Sequence, residues 1–128
     1  MAKPVDLELK KAFFELQVKM VEASKEIKDI DAKLAVLTRY LQHAGITQRE
    51  ISTLPSDTKT YESVGRMFLL TDLDTVKTNL KNKETQLTTR AQELESTKHY
   101  LEKNLKESED NIREMVQQRK GQSDSKAN

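Results

Sequence analysis

The chain has 128 residues, enough for one domain, and is 34% charged and only 5% aromatic, with three glycines, two prolines and no tryptophan. Its 22 basic and 21 acidic residues are interspersed, so the net charge of +1 creates no field to gather nucleic acid or an anionic membrane. The absence of cysteine excludes disulfides, thiol catalysis and thiolate metal sites.

No stretch approaches the roughly 18 apolar residues that span a bilayer, and the first residues carry no apolar run of signal-peptide type. The expectation is a cytoplasmic or nucleocytoplasmic protein with no membrane and no nucleic-acid partner. A chain rich in Lys, Glu, Gln and Leu suits long helices bathed in solvent, because little of each helix must be buried.

The first predicted element is a helix over 6–44. Leu9, Phe13, Leu16, Met20, Ala23, Ile27, Ile30, Leu34, Leu37, Leu41 and Ala44 alternate steps of four and three, the spacing of a coiled-coil seam. Asp6 stands where an N-cap would, and Gly45 where a left-handed glycine would end the helix. Such a helix would be about 60 Å long, too long for a compact globule of this size to bury. Residues 45–57 read as a linker. Thr47-Gln48-Arg49-Glu50 has capping-box spacing and predicts a short helical turn with Ile51 and Leu54 facing inward, followed by a turn at Pro55-Ser56-Asp57.

Residues 58–71 change character. Two β-prone pieces flank Gly65 and predict a β-hairpin carrying Tyr61, Val64, Met67, Phe68, Leu69 and Leu70. Residues 67–70 are apolar on both faces of a strand, and an isolated two-stranded hairpin is marginal in water. Two helices with a thin seam cannot cover it. Other chains are therefore expected to complete the sheet at its edges as a barrel or sandwich.

Asp72 is the expected cap of a second helix over 72–119, whose apolar series is Val76, Leu80, Leu87, Leu94, Leu101, Leu105, Ile112 and Met115. Lys83, Arg90 and Thr97 read as the poorer companion column, with a stutter at Leu101 and Leu105. The leucine heptads do not make a DNA-binding zipper. Such a protein needs a dense basic helix ahead of the leucines, and Leu70-Thr71-Asp72-Leu73-Asp74-Thr75-Val76 is acidic and apolar. Residues 121–128 read as a disordered tail.

Nothing in the chain points to catalysis. His43 and His99 have no second ligand at helical spacing, and Glu107, Glu109 and Asp110 form a solvated face rather than a pocket that would shift a pKa. Ser63 is not a nucleophile elbow, because Tyr61 occupies the place of the required glycine. Gly45, Gly65 and Gly121 are too scattered for a phosphate loop. No catalytic, cofactor or metal residue is assigned.

Tyr61-Glu62-Ser63-Val64-Gly65-Arg66-Met67-Phe68, followed by the capping Asp72, resembles the hairpin segment of β-type prefoldin subunits. The opening Pro4-Val5-Asp6-Leu7-Glu8-Leu9-Lys10-Lys11-Ala12-Phe13 and the closing Glu109-Asp110-Asn111-Ile112-Arg113-Glu114-Met115 are similar to eukaryotic members, so the likeness runs from Pro4 to about Arg119. It implies a mainly α fold within one domain over 1–120. That fold is a long antiparallel two-helix coiled coil joined by a β-hairpin that assembles with other subunits into a β-barrel platform. It further implies a heterohexamer of two α-type and four β-type subunits. That assembly captures unfolded chains such as actin and tubulin and delivers them to the cytosolic group II chaperonin without ATP. If the helices fold back antiparallel, both chain ends meet at the tip of the coil. Leu7, Leu9, Phe13, Phe14, Met115 and Val116 would then contact clients, with Val18 and Val21 also off the seam. A coiled-coil scaffold or tether is the alternative reading. It leaves an apolar β segment at mid-chain without a use.

Overall fold

The structure, a computed structural model, describes the backbone of residues 4–127 and the side chains of residues 7–121. In chain order it contains α1 (Pro4–Ser52), β1 (Thr60–Val64), β2 (Met67–Thr71) and α2 (Leu73–Ala127). These form two compact units, one of residues up to Asp31 with those from Ser96 onward, the other of residues 32–95.

In the first unit the two helical segments run antiparallel. Leu9 and Phe13 line a cleft with Met115 and Val116, while Leu16, Met20 and Ala23 line another with Leu101, Leu105 and Ser108. Every α1 residue of the predicted seam, from Leu9 to Ile27, is half-buried here, and Ile30 is buried. The facing column is Lys98, Leu101, Leu105, Ser108, Ile112 and Met115, all half-buried. Lys98 Nζ lies 2.6 Å from Asp31 Oδ1 and 3.9 Å from Glu102 Oε1. Because Asp31 is half exposed, that pair stabilises by less than about 1 kcal/mol, against roughly 2 kcal/mol or more for each large apolar side chain removed from water. Burial holds the coil; the ion pair favours one register.

In the second unit Leu37 lines a cleft with Arg90 and Leu94, and Ile51 one with Lys77 and Leu80, again antiparallel. Ala44, Leu73 and Leu94 are its buried residues. Helix α1 does not stop at Gly45, and residues 45–52 are not a linker. Gln48 and Ile51 extend the four-and-three steps past Ala44, both half-buried. A glycine inside a helix costs only about 1 kcal/mol, less than burying Ile51 returns. The Thr47 hydroxyl donates to the His43 carbonyl at 2.9 Å, the back-bond of a mid-helix threonine, so it caps nothing. Leu54 lies beyond the helix and is exposed.

The end of α1 satisfies its own carbonyls. The Ser52 and Thr53 hydroxyls donate to the carbonyls of Arg49 and Glu50, each at 2.7 Å. Pro55 then prevents continuation, and a turn closes with Thr58 N–H donating to Pro55 O at 3.1 Å. Beyond the hairpin, Val76 N–H donates to Asp72 O at 3.0 Å, which places Asp72 at the N-cap of α2.

On α2 the leucine column is as expected, but its companions are Glu84, Ala91 and Lys98, not Lys83, Arg90 and Thr97, which are exposed. The partner lies four residues after each leucine rather than three. Consequently Lys98, Leu101, Leu105 and Ser108 keep regular steps, and the two consecutive four-residue steps fall instead at Val76, Leu80 and Glu84. Helix also continues to Ala127 where a disordered tail was expected. Gly121 alone does not end it, and no proline follows. Asn128 lies outside the described residues.

The strands pair antiparallel with Val64 opposite Met67, Ser63 opposite Phe68, Glu62 opposite Leu69, Tyr61 opposite Leu70 and Thr60 opposite Thr71. The Thr60 hydroxyl also donates to the Thr71 carbonyl, tying the open end of the hairpin. Gly65 has φ +63° and no non-glycine residue described has positive φ, the pattern of a type II′ turn with glycine first.

Two substitutions test this backbone. Gly45→Ala is expected to stabilise the protein by about 0.5–1 kcal/mol, because nothing stands within 4 Å of the new Cβ and the residue is helical. A lower midpoint in thermal unfolding followed by circular dichroism would show that the helix ends there after all. Gly65→Val is expected to weaken strand pairing by about 2 kcal/mol or more, from left-handed φ alone since its Cβ also meets open space. Faster amide exchange over residues 60–71, with helix content unchanged, is the readout.

Candidate functional site

Exposed large apolar side chains cluster at two places: the hairpin of the second unit and the end of the first unit that carries Leu7, Phe14 and Val116. In the hairpin, the alternation of side chains divides the strands into two faces. Tyr61, Ser63, Phe68 and Leu70 share one; Thr60, Glu62, Val64, Met67, Leu69 and Thr71 share the other. Neither face is covered. Phe68 is 72% exposed on the first and Met67 62% on the second, and Tyr61, Val64, Leu69 and Leu70 are exposed as well. All the hairpin residues singled out in the sequence are therefore on the surface, arranged around the Gly65 turn.

The sheet has only these two strands among the described residues, so each keeps an outer edge of unpaired N–H and C=O groups. Six large apolar side chains, worth roughly 1.5–3 kcal/mol each when removed from water, offer on the order of 10 kcal/mol to whatever covers them. The open edges offer main-chain hydrogen bonds to added strands.

At the open end of the first unit the six residues named from sequence separate into two groups. Leu9, Phe13 and Met115 are half-buried in the seam, whereas Leu7, Phe14 and Val116 are exposed, Phe14 at 65%. Leu9, Phe13, Met115 and Val116 converge on a cleft of about 180 Å³. Phe14 lies on another side, in a broad groove with Val18, Val21 and Ile112. Sequence reading overlooked Lys10 and Arg119, which complete the lining of the cleft. The signal was present as one spacing used twice. Leu9, Lys10 and Phe13 on α1 repeat as Met115, Val116 and Arg119 on α2, each at i, i+1 and i+4.

Among the described residues no group of three or more His, Asp or Glu is placed to hold a metal ion, and no helix is long and apolar enough to cross a membrane.

Known proteins share this layout. A family profile described as Prefoldin subunit matches residues 14–119. Prefoldin subunit 1 of Homo sapiens is 46% identical over 122 residues, covering 95% of this chain and 100% of the human one. That of Danio rerio is 45% identical with the same coverage, and that of Arabidopsis thaliana 32% identical over 86% of each chain. Among solved structures, the prefoldin beta subunit from Thermococcus strain KS-1 is similar with a TM-score of 0.75 and 23% identity, covering 80% of this chain and 90% of that one, a likeness of fold. Two antiparallel helices joined by one hairpin, and sequence identity spread over nearly all of the chain, lead to one assignment: the chain belongs to the prefoldin subunit family.

Proposed function

We propose that the chain is a non-catalytic subunit of an ATP-independent holdase. In this reading its hairpin joins those of other α-type and β-type subunits in a hexameric β-barrel platform, and the open end of its coil holds unfolded polypeptide. The clients are of the actin and tubulin class, and the receiver is the group II chaperonin of the cytoplasm.

One observation carries the reading. A hairpin exposes apolar side chains on both faces, with both strand edges open, in a chain of the prefoldin subunit family. Water does not tolerate that surface without a partner, and strands from sister subunits satisfy its faces and edges together. The exposed Leu7, Phe14 and Val116 then supply weak apolar contacts of the kind that suit many non-native chains.

The two surfaces are separable by deletion. Removing residues 1–14 together with 116–128 is expected to leave assembly with partner subunits intact by native mass spectrometry, while suppression of aggregation of denatured actin, without nucleotide, falls several-fold. Truncated complexes that protect the client as well as intact ones would refute the assignment of the coil end.

A further inference from the structure

We infer that the cleft at the open end of the coil selects client segments in which a bulky apolar side chain stands close to a carboxylate; this rests on the holdase reading above. Three features support it.

The first is size. The cleft measures about 180 Å³ and its walls are Leu9, Phe13, Met115 and Val116. A dry apolar cavity of about 150 Å³ already accommodates benzene. One phenyl ring or one leucine side chain therefore fits, and a whole helix does not.

The second is charge. The remaining lining residues are Lys10 and Arg119, both exposed, and among the described residues no acidic side chain lines the cleft. Among the described residues neither cation is in an ion pair. Elsewhere in this unit a seam cation has acidic neighbours, as Lys98 does with Asp31 and Glu102. Lys10 and Arg119 thus bracket an apolar slot with positive charge that the cleft itself does not neutralise.

The third is contrast. The groove containing Phe14, Val18, Val21 and Ile112 is also apolar, but its polar lining is Gln17 and Glu22, with no cation. The two apolar surfaces of the coil end differ in sign, so an apolar segment flanked by Asp or Glu is drawn to the cleft and one flanked by Lys is not. Rim charges of this kind act mainly on encounter and specificity, through exposed pairs sensitive to salt.

The test uses the full chain assembled with its partner subunits and three labelled peptides of about 15 residues. All share the same Leu and Phe positions and differ only in carrying Glu, Gln or Lys between them. Fluorescence anisotropy at low salt is expected to show the Glu peptide bound roughly five- to ten-fold tighter than the Lys peptide, with the Gln peptide between them. The difference should collapse near about 0.5 M salt. The double substitution K10E/R119E is expected to reverse the order. Equal binding of the Glu and Lys peptides, or an order that survives the charge reversal, overturns the inference. Suppression of aggregation of a denatured client is measured on the same complexes. A complex that protects the client but ranks the peptides alike loses only the charge assignment. One that protects no client loses the holdase reading, and this inference with it.

Discussion

The constraint on which the rest depends is a pair of strands with apolar side chains on both faces. A strand pair normally buries one face and wets the other. Here Phe68 and Leu70 occupy one face, Met67 and Leu69 the other, and all are exposed. Six large apolar side chains thus sit in a surface that the described part of the chain does not close. A two-stranded hairpin with both faces open is marginal in water by itself, so the surface suits pairing with further strands.

The helices are matched to such a role. Their seams are narrow: among the described residues four apolar side chains are buried and the rest of the stripe is only half-buried. A single stripe of Leu, Ile and Ala is enough to zip two helices, and it leaves the remaining faces to Lys and Glu. A thin seam also leaves apolar residues over where the helices end. Leu7, Phe14, Val18, Val21 and Val116 have no place in the stripe and meet solvent. The same sparse packing therefore leaves apolar side chains exposed beside the seam.

Much of this was legible in the sequence because periodicity reports burial directly. Each residue of the first seam, from Leu9 to Ala44, is half-buried or buried, and the hairpin with its Gly65 turn lies where β-prone residues flank a glycine. What was not legible depends on the partner helix. Gly45 has the local chemistry of a helix stop, yet Ile51 gains burial six residues later, and tertiary packing outweighs one glycine. The leucine column of α2 accepts a companion three or four residues on. Only the facing helix shows that small Ala91 and long-stemmed Lys98 are half-buried in the seam while Arg90 and Thr97 stay exposed. Lys10 and Arg119 gained meaning in the same way, since cations are common on any helix and become a feature only when two of them flank one cleft.

The two-residue turn at Gly65 has a consequence for how the hairpin is read by its neighbours. In most hairpins a slip of one residue is punished because it drags greasy side chains into water. Both rows are greasy here, so burial alone hardly distinguishes the correct alignment from its neighbour. Alignment is left to the geometry of one left-handed glycine and to the Thr60 hydroxyl bond at the other end. An extra residue beside it would give a strand pair equally rich in Leu and Phe that offers the wrong row to each docking surface, a fault of orientation that no measure of hydrophobicity would detect.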